Sequence, residues 1–201
     1  MNTELLKELC SIPATAGDEG LMRDFIVDYF SRNGKFFKNS PRVCSGPGFQ
    51  DMVIAIFGTP RTAIFAHTDS VGYTVAYERE LYKIGNPKAP NGSLLVGEDS
   101  KGPITCKLEV VTKKNKSKKG KEDKIQYVAD RKIDPGTNLT YAPDWKETKQ
   151  YVKSAYLDNR LGVWNALELA RELDHGALVF QPMRNTVVEE LSSPDDFYRK
   201  N

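Results

Sequence analysis

The chain has 201 residues, enough for one domain with a sizeable core or for two small domains. Its hydrophobic content of 39% and charged content of 28% are those of an ordinary globular chain and argue against a disordered one. The net charge of +2 is too small to favour nucleic acid as a partner.

Cysteine usage and the amino-terminus favour a cytoplasmic location. The three cysteines, Cys10, Cys44 and Cys106, are an odd number without a Cys-x-x-Cys spacing, which is typical of free thiols in a reducing compartment. Residues 1–7 lack the basic and then apolar layout of a signal peptide, and no apolar run approaches the length of a membrane span. We therefore expect a cytoplasmic protein without a membrane partner.

Residues 1–72 alternate between helix and strand signals. A first helix is expected from Thr3 until Pro13 stops it, and a second from Asp18 to about Arg32, where apolar residues recur at helical spacing. Strands are predicted over residues 35–38, 51–57 and 63–66. The last of these is a short apolar run, which predicts a buried strand.

From residue 73 to about residue 153 the sequence contains short β-type runs and turn residues but no convincing helix. Strands are predicted over residues 73–77, 104–112, 124–129 and 137–141. Asn-Pro, Asn-Gly and Asp-Pro-Gly turns separate them. This pattern predicts a small β domain inserted into an α/β domain.

Six lysines lie between residues 113 and 121. Such a run serves either as a contact for a polyanion or as the solvated tip of a hairpin. The absence of interleaved aromatic residues and of a basic helix favours the hairpin tip.

Helical character returns near residue 156. Leu161, Ala166, Leu169 and Leu173 mark the apolar face of a helix that ends at His175-Gly176. Residues 177–180 then predict another buried strand. The α/β pattern of the first seventy or so residues therefore resumes after the β segment.

The most informative short motif is His67-Thr68-Asp69, directly after the apolar run of residues 63–66. Residues i and i+2 of an extended chain point to the same side, so His67 and Asp69 are expected to lie together at the carboxyl end of a strand. A carboxylate that takes the proton of one ring nitrogen aims the other nitrogen at a metal. The alternative is a lone histidine with a capping aspartate.

Asp158 is a second candidate. It occupies the position expected for the N-cap of the helix after residue 156, and a capping role alone would explain it. The functional alternative is a carboxylate at a helix start, aimed at the same crevice as His67.

With these motifs in place, the chain resembles the glutamyl/deblocking aminopeptidases, a cellulase M-like group of dinuclear metallo-aminopeptidases. Four blocks carry the resemblance, and the histidine block and the Leu-Asp-Asn-Arg block are specific as a pair. The blocks are residues 5–20, 66–75, 134–141 and 154–162.

The resemblance implies an open mixed α/β sheet flanked by helices, of the zinc-aminopeptidase type, interrupted by a small β-barrel-like domain. Residues 1–72 and 154–201 would form the catalytic-type domain, and residues 73–153 the inserted domain, through which a homo-oligomer would assemble. It also implies two divalent metal ions, zinc or cobalt, with His67 ligating one, Asp158 bridging both and Asp69 orienting His67. The substrate would be a peptide, cleaved at its amino-terminal residue.

The match to this family stops after Phe180. The family continues into a Glu-Glu pair that supplies a general base and a metal ligand, whereas here Glu189 and Glu190 stand several residues late. Residues 182–189 can be written with one choice of synonymous codons that, read in the frame starting at the third base of the Pro182 codon, encodes Tyr-Glu-Glu-His-Gly-Gly-Gly. We therefore expect a chain truncated or frame-shifted after about residue 180. A naturally divergent tail is the rival interpretation.

Three functions follow as hypotheses. The first is an aminopeptidase-type chain that is inactive because its metal site is incomplete. The second is a non-catalytic relative that acts as an interaction module through the β insertion. The third is an active hydrolase that draws its remaining ligands from Glu189, Glu190 or another subunit; two ligands, where zinc normally has three or four, argue against it.

Overall fold

The computed structural model describes residues 3–88, 90–115 and 120–183. The helices are α1 (Thr3–Ser11), α2 (Gly20–Arg32) and α3 (Leu157–Leu169). The strands before the middle of the chain are β1 (Arg42–Cys44), β2 (Val53–Phe57), β3 (Ala63–His67), β4 (Gly72–Val75), β5 (Leu81–Ile84) and β6 (Leu94–Asp99). The later strands are β7 (Gly102–Asn115), β8 (Gly120–Val128), β9 (Asn138–Tyr141), β10 (Lys146–Glu147), β11 (Val152–Lys153) and β12 (Gly176–Gln181).

The first sheet is mixed and has the strand order β1-β2-β12-β3. Strand β12 runs parallel to β3 and antiparallel to β2. All three helices pack on one face of this sheet, because the main core joins their apolar residues to Val53, Ala55 and Phe57 of β2. Ile54 and Ile56 of the same strand face the other way into a smaller cluster, as the period of two in a strand requires.

The second sheet has six strands in the order β5-β4-β9-β6-β7-β8. An isolated bridge between Glu80 and Gln126 brings the β5 end against β8, so the sheet is nearly closed into a barrel. The barrel has its own core, built around residues such as Tyr73, Leu95 and Leu139. Closure leaves few unpaired backbone groups, which is how small β structures avoid exposed edges.

The predicted mixed α/β class with a β-barrel-like insertion is therefore confirmed, and most predicted elements are present. Residues 35–38 are not a strand, since Gly34–Phe36 forms a single turn of 3-10 helix. Strand β3 is present but is an edge strand, with Ile64 and Phe65 partly exposed rather than buried. The expectations about the tail from residue 184 onward, including Glu189 and Glu190, lie outside the described residues.

The expected division into a catalytic-type domain of residues 1–72 and 154–201 and an inserted domain of residues 73–153 stays a prediction. Within the part of the chain that the structure describes, no helix is long and apolar enough to cross a membrane.

The chain passes between the two sheets twice. It leaves the first sheet after β3, where Ser70 donates through both its N–H and its hydroxyl to the carbonyl oxygen of Ala14. It returns from β9 to α3, where the N–H of Tyr141 donates to the hydroxyl oxygen of Tyr156 at 2.6 Å. The two crossings lie side by side, so residues far apart in sequence meet at the junction.

Candidate metal centre and adjoining cleft

His67 and Asp158 meet at this junction, 91 residues apart in the sequence. His67 is the last residue of β3 and Asp158 lies at the start of α3; the His67 Nε2 atom is 3.1 Å from the Asp158 Oδ1 atom. On the other side of the ring, Nδ1 is 3.2 Å from the Asp69 carbonyl oxygen and 3.5 Å from the Asp69 carboxylate. The structure therefore brings the three predicted site residues together at the carboxyl end of a strand.

His67 and Asp69 shift each other's proton affinity toward the charged forms. The hydrogen bond with Asp69 raises the pKa of His67 above its ordinary value; burial opposes this, and Asp158 adds to it. Burial by itself would raise the pKa of Asp69, but the hydrogen bonds from His67 and from the Met183 N–H, the latter at 2.7 Å, hold it below its ordinary value. Asp69 is therefore placed to accept a proton from Nδ1, through its carbonyl oxygen at 3.2 Å or its carboxylate at 3.5 Å.

Asp158 is not the residue that caps α3. Its backbone and that of Asn159 are non-helical, and the Asn159 side-chain oxygen accepts a hydrogen bond from the Gly162 N–H at 3.1 Å. That spacing of three residues is the one an N-cap side chain uses. The capping role belongs to Asn159, and the Asp158 carboxylate, 94% exposed, is left to face His67.

Arg160 holds the two crossings in place. It is completely buried, and its guanidinium donates to the carbonyl oxygens of Leu9 at 3.2 Å, Ile12 at 3.3 Å and Thr68 at 2.5 Å. Burial lowers the pKa of Arg160 to about 10. Because Thr68 directly follows His67 and Arg160 follows Asp158 by two residues, this side chain fixes both candidate ligands relative to α1.

The candidate ligands open onto a cleft of about 1020 Å³ between the two sheets. Its walls include Leu94 and Tyr141 of the barrel and Tyr156 and Leu157 at the start of α3. The Tyr141 ring lies 6.0 Å from the rings of both Tyr73 and Tyr156, centroid to centroid. This volume is at the upper end of the range for small-molecule sites.

His67 and Asp158 fit a shared metal ion in type and spacing. Two donors bound to one zinc ion at tetrahedral geometry lie roughly 3.4 Å apart, close to the observed 3.1 Å. When Nδ1 donates its proton to Asp69, the lone pair of Nε2, the nitrogen that faces Asp158, is available to a metal ion. Among the described residues, however, no three His, Cys, Asp or Glu side chains are grouped to hold a metal. They supply a ligand pair, not a complete set.

Comparison with solved structures identifies the fold. A TET aminopeptidase from a marine sediment archaeon of the Thaumarchaeota is similar over 89% of this chain, with a TM-score of 0.67 and 18% identity. An aminopeptidase from the archaeon Desulfurococcus kamchatkensis is similar over 88% of this chain, with a TM-score of 0.65 and 18% identity. The TET1 peptidase of Pyrococcus horikoshii is described as assembling into a tetrahedron or a large octahedral shell. It is similar over 89% of this chain, with a TM-score of 0.65 and 19% identity.

The chain therefore has the fold of the TET aminopeptidases, and the resemblance seen in the sequence is confirmed at the level of the fold. The similarity spans 56%, 54% and 59% of those three chains, so this protein corresponds to somewhat more than half of their length. No protein-family model matches the chain, and a search of curated proteins found no match.

Sequence reasoning missed the supporting residues. Arg160 stands in the Leu-Asp-Asn-Arg block, but an arginine is ordinarily exposed, so nothing local predicts complete burial against backbone carbonyls. Tyr73, Tyr141 and Tyr156 come from three separate elements, and only the barrel brings them together. The strand and helix starts could be predicted from local pattern, but these long-range contacts could not.

Proposed function

We propose that this protein is of the metal-dependent aminopeptidase type and that His67 and Asp158 are metal ligands. The observation that carries the proposal is their approach to 3.1 Å across 91 residues, at the mouth of a cleft, in a fold shared with aminopeptidases. Chance juxtaposition of a histidine and a carboxylate is common, but here both stand at the crossings between the two sheets.

The residues take distinct roles in this proposal. His67, through Nε2, and Asp158, through its solvent-exposed carboxylate, would be the residues that hold zinc or cobalt. Asp69 holds the Nδ1 proton and so fixes which nitrogen of His67 is the ligand. Bound metal supplies polarisation of a peptide carbonyl and a water whose pKa is lowered to near ~7. Arg160 keeps the strand end and the helix start in register.

The ligand pair also predicts that this chain is inactive by itself. Zinc sites that catalyse hydrolysis have three protein ligands and an open position, and the described residues supply two. A missing general base alone removes about 10²–10⁴-fold in rate. With zinc or cobalt added, the 201-residue chain should hydrolyse aminoacyl-anilides no faster than its His67→Ala variant.

A second version of this protein, with a changed sequence after Gln181, makes the test decisive. In it, the residues after Gln181 follow the alternative frame through Tyr-Glu-Glu-His-Gly-Gly-Gly and onward to its stop codon. Metal-dependent hydrolysis should appear and should vanish with His67→Ala or Asp158→Ala. Activity of the 201-residue chain that His67→Ala abolishes would refute the incomplete ligand set, and Glu189 and Glu190 would be tested next. No activity in the second protein would refute the aminopeptidase proposal.

The second candidate function is an interaction module. The barrel has a continuous core and near-closure within the described residues, whereas the metal ligand set is incomplete. Some structural neighbours form large assemblies, a dodecamer in one case. A homo-oligomer formed through the barrel would be seen as a mass of more than one subunit by light scattering, even for a chain without activity.

A further inference from the structure

The hydroxyls of the tyrosine cluster beside the candidate ligands, Tyr73, Tyr141 and Tyr156, all form hydrogen bonds within the protein. The hydroxyls of Tyr73 and Tyr141 are 3.0 Å apart, and both donate to the carbonyl oxygen of Lys88, Tyr73 at 2.9 Å. The hydroxyl oxygen of Tyr156 accepts the Tyr141 N–H. Tyr141 and Tyr156 of this cluster line the cleft.

The loop that contains Pro87, Lys88 and Pro90 lies against the same tyrosines. Lys88 lies between Pro87 and Pro90, which both line the cleft, and its carbonyl oxygen is bound by two tyrosine hydroxyls. Proline fixes φ, so the backbones of Pro87 and Pro90 have little freedom for a ligand to remove. The two prolines and Leu94 form an apolar wall, and a wall that is fixed in part before binding lowers the cost of binding.

The charge in the cleft opposes an acidic ligand. Three aspartates, Asp69, Asp144 and Asp158, line it, and Lys88 is the only lysine or arginine among its described lining residues. An ammonium group near the aspartates is favoured, and a second carboxylate there is disfavoured. The cleft thus has an anionic side at the candidate ligands and an apolar side at the tyrosines.

We infer that this cleft selects a large apolar or aromatic amino-terminal residue, with the side chain against Tyr141, Leu94 and the two prolines and the α-ammonium toward the aspartates. The inference rests on the proposed function in placing a peptide's first residue in the cleft, and it adds the side-chain class. An acidic first residue would press its carboxylate against this apolar wall, which costs desolvation, and a small one would leave the wall in contact with water.

Equilibrium binding to the 201-residue protein tests this without added metal and without turnover. Saturation-transfer NMR titrations would compare L-phenylalaninamide with the α-amide of L-glutamate. We expect phenylalaninamide to bind at least about tenfold more tightly, the difference that a fitted apolar pocket gives for a modest change in side chain. Equal binding of the two amides, or no binding of either, would overturn the inference.

Variants locate the binding. Tyr141→Ala removes the ring at the centre of the cluster; Leu94→Asn changes a residue that is 49% exposed and therefore carries little risk to folding. Each should weaken phenylalaninamide binding about tenfold. The matched controls, Tyr82→Ala and Leu21→Asn, change exposed residues that do not line the cleft and should have no effect. Full binding by Leu94→Asn would overturn the inference even if Tyr141→Ala failed to fold.

N-acetyl-L-phenylalaninamide separates this inference from the proposed function. It keeps the aromatic side chain and lacks the ammonium. Weaker binding than phenylalaninamide supports both the side-chain preference and a site for a free amino-terminus. Equally tight binding, still lost in Leu94→Asn, would leave the apolar preference standing and would count against the aminopeptidase proposal.

Discussion

Arg160 shows how one residue can organise a site without taking part in its chemistry. A buried cation is costly unless it is paired, and within the described residues its hydrogen-bond partners are the carbonyl oxygens of Leu9, Ile12 and Thr68. Replacing a buried ion pair by apolar residues is often harmless, because both partners go. Here the carbonyl partners are backbone and stay behind when the guanidinium is removed; of the three, the Leu9 oxygen still accepts the Ile12 N–H at 3.3 Å.

We therefore expect Arg160→Met to lower the free energy of unfolding by about 3 kcal/mol or more, at ~1–3 kcal/mol for each unsatisfied buried group. Urea denaturation measures this. Arg32→Met is the matched control, because Arg32 is 65% exposed and, among the described residues, forms an ion pair with Asp28 in the preceding turn; its effect should stay within about 0.5 kcal/mol. An equally small effect at Arg160 would contradict the organising role.

Asp99 gives a pH-dependent prediction in the barrel. Its carboxylate accepts from both terminal nitrogens of Arg131, at 2.6 and 2.8 Å, and from the N–H groups of Lys101 and Asp134. The hydrogen bonds from Arg131 hold the pKa of Asp99 far below its ordinary value. The stabilisation is therefore complete above the unfolded-state pKa of about 3.9 and is lost as the pH falls below it.

Asp99→Asn should lower the melting temperature at pH 7, and the difference from the parent should shrink steadily as the pH falls below about 4. Melting curves followed by circular dichroism between pH 7 and pH 2.5 measure this. A difference that stays constant over that range would show that the Asp99 charge does not stabilise the barrel.

At the scale of elements, the start of α3 depends on a glycine. A Cβ on Gly162 would lie 2.2 Å from the Asn159 side-chain oxygen, so an alanine there displaces the cap. Alanine in place of glycine ordinarily favours a helix by ~0.5–1 kcal/mol. Loss of the cap costs about 1 kcal/mol, and displacing a packed side chain costs more.

Gly162→Ala should therefore destabilise the protein by about 1 kcal/mol. In an Asn159→Ala background, where no side chain obstructs the new methyl group, the same change should become stabilising by ~0.5–1 kcal/mol. Gly34→Ala, where a Cβ meets nothing within 4 Å, should be close to neutral. Thermal denaturation of the four variants provides the measurement. Stabilisation by Gly162→Ala would mean that the cap does not define the helix start.

Strand β3 shows what local sequence can and cannot establish. Its apolar run and terminal histidine correctly predict a strand with His67 at the carboxyl end. The same run does not reveal whether a neighbouring strand covers both sides, because position within a sheet is decided by distant segments. In the described residues β3 pairs only with β12, and the Phe65 side chain is 56% exposed.

At the scale of the whole molecule, the sequence predicts the order of elements better than their contacts. The alternation of helix and strand, the β segment and the return to helix at Asp158 are all present, because each depends on local periodicity and turn residues. Closure of the barrel by Glu80 and Gln126, and the burial of Arg160, depend on packing across many residues. The convergence of His67 with Asp158 could be predicted only because a family resemblance links the two motifs.

The central claim, that His67 and Asp158 act as a metal-ligand pair, is tested most directly on the histidine rings. The chain has two histidines, and His175 is an internal control whose Nδ1 accepts the Thr59 N–H. In ¹H–¹⁵N spectra of the imidazoles, zinc titration should shift the His67 Nε2 signal and leave both His175 signals in place. Asp158→Asn should abolish the shift. A zinc response equal at both histidines, or one that persists in Asp158→Asn, would contradict the claim.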